Sequence, residues 1–379
     1  MNWKKLFVLL ISGIMVLTAV GCAQPSTPTP TPTPTPTQTA SPSPSPTPTT
    51  PPTPSSVRLG VFIPGRLGDS PDYDKLADMS LRLAMRDKRL TVNVFEAGFD
   101  QSKWTEQLTS MAASGNYDVI YTSNESMGPM VAAVAKQVPN VKFIVNDSWV
   151  TGNDRIYCSF INKYQQSYLY GYMMALVSTS TLPGANAEKK IGFIYGQHYT
   201  TMDDLIIPGI EAGAKAVDPA FEVKTVMLGN WFDAAKAESL TNTLIDEGVD
   251  VMGSICGSGL AGVINACKTK GIYMVTYDSA NFDKAPGVIV GSVESQISDM
   301  VSNDLDELLA GTVKWGASEV FGAERGYVSS PLKAPAWLTV PESTRLQYEA
   351  EYNKVISGSK PLPIPQAVLD KINAAAKGS

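Results

Sequence analysis

The sequence predicts an α/β chain built as two doubly wound parallel-sheet lobes, and three observations carry that prediction. Short, nearly continuous apolar runs alternate with amphipathic stretches, the pattern of parallel strands covered by helices on both faces. The segment 57–147 is echoed by 190–278 with matching punctuation. Each copy closes on a strand ending in aspartate, Asp147 in one and Asp278 in the other.

The elements follow in register. Val57-Arg58-Leu59-Gly60-Val61-Phe62-Ile63 opens the first copy and Lys190-Ile191-Gly192-Phe193-Ile194-Tyr195 the second, leading to helices over 74–85 and 202–216. Phe99-Asp100 then precedes an amphipathic helix closed by Gly115, as Phe232-Asp233 precedes one closed by Gly248. Strands at 119–122 and 251–254 pass through 123–128 and 257–260 into helices over 130–137 and 261–270. The last strands are 143–147 and 273–278. Downstream, 297–310 reads as a helix returning to the first lobe, and 343–356 and 365–376 as two further helices with a structural role.

Parallel sheets bind ligands beyond the carboxyl ends of their strands, so two facing lobes share one cleft. Its walls are predicted in the loops 64–73, 97–100, 122–128 and 147–150, facing 196–201, 229–233, 256–259 and 278–282. Asp147 and Asp278 read either as helix or turn caps or as ligand acceptors. Their symmetric placement favours the second.

The N-terminus is of another kind. Lys4-Lys5 precedes an apolar run from Leu6 to Val20, the form of a signal peptide and short for a membrane span. Small residues lead to Cys22, which resembles a bacterial lipobox with that cysteine lipidated. From 23 to 56 the chain is almost only Pro, Thr and Ser, which cannot bury enough apolar surface to fold. As polyproline II at ~3.1 Å per residue it forms a tether spanning on the order of 100 Å. The expected location is therefore the cell membrane, lipid-anchored, facing the periplasm or exterior.

Composition excludes several classes. A net charge of −6 argues against nucleic acid as a partner. Three cysteines besides Cys22 make no disulfide framework; Cys256 and Cys267 are placed where a bridge is compatible, with buried thiols the expected state. His198 is the only histidine, which removes support for zinc sites and histidine-based triads. No metal or cofactor is expected.

Gly68-Asp69-Ser70-Pro71-Asp72-Tyr73, Phe99-Asp100, Asn146-Asp147, Tyr168-Leu169-Tyr170-Gly171, Gly209 to Lys215, Gly229-Asn230-Trp231-Phe232-Asp233, Asp278 and Gly291-Ser292-Val293 occur in this order. Over about 57–326 the chain thereby resembles the basic membrane protein (Bmp) or PnrA-like substrate-binding lipoproteins. The resemblance implies the type I periplasmic binding protein fold, with a three-crossover hinge near 147–162, 279–292 and 322–335. The lobes implied are 57–150 plus about 293–325, and 151–292 plus about 326–340, with 341–379 as C-terminal helices.

It also implies a small heteroaromatic ligand, a purine nucleoside or a riboflavin-like molecule, delivered by a monomer to an ABC permease. One aromatic from each lobe meets the ligand ring at the positions of Tyr73 and Trp231, where rigid π-faces bury area at low entropic cost. Asp147 and Asp278 match aspartates that accept from ligand hydroxyls or ring nitrogens. Ser70, Asp72, Phe99, Ser123, Asn124, Phe232, Gly257 and Glu294 complete the expected ligand-binding set. Gly257 and Gly259 match a glycine-rich loop that a helix-start turn explains equally well. Where relatives commonly carry a lysine, this chain departs from the pattern with Glu294-Ser295.

Three function classes follow. A binding module for uptake leads; a sensory receptor would use the same clamp. An exported nucleoside hydrolase would draw on Asp147, Asp278 and Glu294 as paired carboxylates, and nothing in the sequence sets the separation or protonation such chemistry requires.

Overall fold

The computed structural model describes residues 53–377 apart from 69, 99 and 187. The expected signal segment, the lipidated Cys22, nearly all of the tether and Phe99 lie outside the described residues. The chain enters as β1 (Val57–Ile63), α1 (Pro71–Arg86), β2 (Leu90–Glu96), α2 (Gln101–Ala113), β3 (Val119–Ser123), α3 (Met127–Gln137), β4 (Lys142–Asn146) and β5 (Ile156–Ile161). It then crosses to α4 (Lys163–Ser178), β6 (Lys190–Tyr195), a π-helical turn at Met202–Ile206 running into α5 (Ile207–Val217), and β7 (Glu222–Met227). The second lobe continues through α6 (Ala234–Asp246), β8 (Val251–Ile255), α7 (Leu260–Lys270), β9 (Tyr273–Tyr277) and β10 (Ile289–Ser295). After it come α8 (Ile297–Ala310), β11 (Ser318–Phe321), β12 (Val328–Ser329), α9 (Pro335–Leu338), α10 (Glu342–Ile356) and α11 (Gln366–Lys377).

The two sheets have one plan, β11-β5-β4-β3-β1-β2 and β12-β10-β9-β8-β6-β7. The duplication reaches backbone angles. Asp100 caps α2 at φ −80°, ψ 86°, and Asp233 caps α6 at φ −78°, ψ 87°, each side chain accepting a helix N–H. The Phe-Asp step of each copy thus encodes a helix start.

Two boundaries differ from expectation. β5 pairs in parallel with β4 and β11, so 151–161 belongs to the first lobe and the first crossover falls at Asn162. β10 pairs with β9, so 293–295 stay in the second lobe and the second crossover follows Ser295 rather than preceding Ser292. The reason is a fifth strand in each copy, Ile-Tyr-Cys-Ser-Phe-Ile and Ile-Val-Gly-Ser-Val-Glu-Ser, that lies past the strand-end aspartate and so outside the four-strand repeat. The third crossover joins β11 to β12 within the expected range. A fourth passage was not foreseen: α10 packs on α4 in the second lobe, and α11 packs on α3 in the first.

The second lobe is organised around α4, buried along nearly its whole length. It meets α5 backbone to backbone. A β-carbon on Gly171 would lie 2.0 Å from the Ile210 carbonyl oxygen, and one on Gly213 2.0 Å from that of Tyr168. The Tyr168–Gly171 and Gly209–Lys215 motifs are therefore a helix-packing device. Cys158, Cys256 and Cys267 are free, buried thiols, and burial pushes Cys158 and Cys256 up to about 12.

Candidate functional site between the lobes

The carboxyl ends of β3, β4 and β9 turn inward through left-handed residues, Asn124 at φ 91°, Asp147 at φ 52° and Asp278 at φ 62°. Non-glycine residues avoid this region unless surrounding contacts enforce it, and such strain gathers at functional sites. Here the enforcing contacts are backbone bonds to neighbouring strands. Asn124 N–H donates to the Asn146 carbonyl at 3.0 Å, Asp147 N–H to Ser159 at 2.9 Å, and Asp278 N–H to Val293 at 3.1 Å.

Lys163, the first residue of α4, stands between the two aspartates. Its Nζ lies 3.3 Å from Asp147 Oδ2 in the first lobe and 3.4 Å from Asp278 Oδ1 in the second, with its side chain only 7% exposed. Asp278 further accepts from Gln166 Nε2 at 2.9 Å and Ser295 Oγ at 2.7 Å, while its carbonyl accepts from Lys75 of α1 at 3.1 Å. Burial works to raise the Asp278 pKa, but Lys163 and the bonds from Ser295 and Gln166 outweigh it, and it falls below the usual carboxylate range. Burial likewise works against the Lys163 charge, but Asp147 and Asp278 hold it fully protonated.

Among the described residues two buried acceptors in this cluster have no hydrogen-bond partner, Asp72 Oδ1 and Asp147 Oδ1. Burial and the Asp278 charge push Asp72 up to about 7. Burial raises Asp147 as well, against the pull of Lys163. A desolvated acceptor without a donor is costly, so the cluster suits a molecule presenting hydroxyl or N–H groups.

The aromatic positions come one from each lobe, Tyr73 on α1 and Trp231 in the loop after β7. The Tyr73 hydroxyl accepts from Asn124 Nδ2 at 3.0 Å, and its ring abuts Gly65. Trp231 lies against Gly196, where an added β-carbon would come within 2.5 Å of its ring, and its Nε1 donates to Gln197 at 3.3 Å. Tyr199 stands 6.3 Å from Trp231 between ring centroids, and its hydroxyl senses Lys163, Asp278 and Asp147.

Of the other expected residues, Ser70 caps α1 by accepting from Asp72 N–H at 3.3 Å, and Ser123 is buried at the end of β3. Gly257, at φ +57°, fits beneath the Trp231 carbonyl. Glu294 is the penultimate residue of β10, its pKa raised by burial against the pull of Lys75. Phe232 is 63% exposed and stands apart from the cluster, because Asn230 Oδ1 accepts from the N–H groups of Phe232 and Asp233 and turns the ring outward.

Sequence reasoning missed Lys163, Lys75 and Gln166, and reached Tyr199 and Glu125 only as members of the predicted wall loops 196–201 and 122–128. Lys163 left a signal: a cation at the first turn of an otherwise apolar helix opposes the helix dipole and needs a reason. Glu125 crosses the cleft, its Oε1 accepting from Thr200 N–H at 3.1 Å and its Oε2 from Thr201 N–H at 2.8 Å. The remaining charge logic of the site is positional and invisible in the sequence.

Two doubly wound lobes meeting at their strand ends over a polar floor with aromatic walls are the architecture of solute-binding proteins. A solute-binding protein structure from Aeropyrum pernix aligns over 84% of this chain and 98% of its own, with a TM-score of 0.71 at 16% identity. The chain belongs to the PnrA-like family of ABC transporter substrate-binding proteins (Bmp), whose model matches residues 56–359. A purine-binding protein of Brucella abortus is 26% identical over 302 residues, 78% of this chain and 79% of that protein. A nucleoside-binding protein of an ABC transporter in Lactococcus lactis is 27% identical over 170 residues, 44% of this chain and 45% of its own length.

Proposed function

We propose that this protein captures a small heteroaromatic ligand carrying a hydroxyl-rich substituent, a purine nucleoside or a riboflavin-like molecule, and delivers it to an ABC importer without chemical turnover. The observation that carries this reading is the pairing of two buried carboxylate oxygens, on Asp72 and Asp147, that have no partner among the described residues, with aromatic rings contributed by each lobe. Carboxylates accept from the hydroxyls of a sugar or ribityl chain, and Tyr73 and Trp231 cover the flat ring. The purine- and nucleoside-binding names of the relatives favour the nucleoside. Lys75 and Lys163 supply cations to the floor from α1 and α4. Lipidation at Cys22 and the Pro/Thr/Ser tether would hold the domain, as a monomer, at the outer face of the membrane. The test is native mass spectrometry and absorbance of protein freshly isolated from its host, followed by calorimetry with adenosine, inosine, guanosine and riboflavin. A stoichiometric complex supports the proposal; turnover of any of these without a stable complex overturns it.

A further inference from the structure

The family match ends at residue 359, and the chain continues into a segment with its own attachments to both lobes. Gly358 to Pro365 carries prolines at 361, 363 and 365, a composition that resists collapse and fixes reach at ~3.1 Å per residue. It is pinned along the hinge: Lys360 bonds to Tyr168 and Glu351 of the second lobe, and Asn162 at the first crossover donates to the Leu362 carbonyl at 3.0 Å.

α11 then seats on the first lobe. Ala376 joins the apolar cluster of α3, and Asn373 exchanges two bonds with Thr151, at 3.0 and 2.9 Å. From that seat it grips the second lobe. Lys371 pairs with Asp204 at 2.6 Å, and Ile364, Leu369 and Ile372 cluster with Leu205 of the second lobe and Phe160 of the first, leaving Leu205 wholly buried. Asp204 and Leu205 belong to the same π-helical turn whose leading amides, Thr200 and Thr201, are held by Glu125 from the first lobe.

We propose that the C-terminal segment is a strap that limits how far the lobes open, by clamping the turn 200–206 of the second lobe to the first. As regulation of the cleft it rests on the reading of that cleft as a ligand clamp, but its physical content does not. Opening must separate Leu205 from Ile364, Leu369 and Phe160, exposing apolar surface, and must part Lys371 from Asp204. The strap therefore slows ligand entry and exit together.

Thr200 and Thr201 report this directly, because a carboxylate of the opposite lobe protects their amides. Hydrogen exchange of the ligand-free full chain over 196–206 should be at least tenfold faster in Leu205→Ala than in the parent. It should be roughly threefold faster in Lys371→Glu, the scale of an exposed ion pair. Adding Asp204→Lys to Lys371→Glu should restore the parent rate. Amides of Phe193 and Ile194 in β6 serve as the folding control; if Leu205→Ala loosens them too, the charge-swap pair decides. Equal Thr200 and Thr201 exchange in the parent, Lys371→Glu and the swap overturns the strap. A chain that binds no nucleoside or flavin but shows these rate differences removes the ligand reading and supports the strap.

Discussion

Asp147 and Asp278, at equivalent strand ends of the two lobes, share a single cation: the Lys163 ammonium lies 3.3 Å from one carboxylate and 3.4 Å from the other. Each aspartate sits in left-handed backbone, and the helix bearing the lysine begins at the first crossover. The crossover and the two strand ends are thus one electrostatic unit.

Replacing Lys163 by methionine keeps the stem's volume and strands the two carboxylates. Removing one partner of a buried pair typically costs ~3–5 kcal/mol. Denaturant unfolding of the ligand-free protein should show a loss of that order, and Lys163→Met with Asp147→Asn should recover part of it. Full stability in Lys163→Met would mean the cation is a bystander.

Trp231→Ala is expected to weaken ligand binding by roughly tenfold or more, as truncation of an aromatic anchor does. Its ring rests on the Gly196 backbone in a loop outside the sheet core, so the ligand-free melting temperature should barely move. Calorimetry and thermal melts of the same preparation separate the two effects. A large fall in melting temperature with unchanged affinity would assign Trp231 to packing.

Asp72 gives a pH signature. Its folded pKa, about 7, lies above the ordinary value of 3.8, mainly through burial. The native state therefore holds the proton more tightly than the unfolded chain does. The stability this contributes is complete below pH 3.8 and is lost as pH rises through about 7. Asp72→Asn should match the parent at pH 4 and exceed it at pH 8 by about 1 kcal/mol or more, or ~2–4 °C in melting temperature. Parallel stability curves for the two proteins across that range would refute the assignment.

Gly171→Ala places a methyl on the Ile210 carbonyl, where 2.0 Å is available. Backbone cannot yield as a side chain does, so α4 and α5 must part, at a cost of ~1–3 kcal/mol or more. The expected outcome is a lower melting temperature with ligand affinity, measured well below it, nearly intact.

These outcomes divide along the line between what pattern encodes and what it does not. Strands β1, β3 and β4 and their copies were legible because buried parallel strands are apolar nearly throughout, and α2 and α6 because Asp100 and Asp233 carry capping chemistry in their residue types. The fifth strands fell outside the four-strand repeat because Ile156–Ile161 and Ile289–Ser295 follow loops of different length. Asp147 and Asp278 were legible by symmetry. Lys163 and Glu125 were not, because each gains its role from a partner more than 70 residues away, and no local periodicity marks such a meeting. Tyr168–Gly171 drew notice as a family motif, and its physical meaning, the close approach of two helices, needed coordinates.

The passage of the chain back to its starting lobe has a practical consequence. β1 opens the folded part in the first lobe, and α11 ends it on the same lobe. A fluorophore pair attached at the start of β1 and the end of α11 would ride on one body and be blind to any hinge rotation. An optical reporter must place one of its labels on α6 or α7, which travel with the other half.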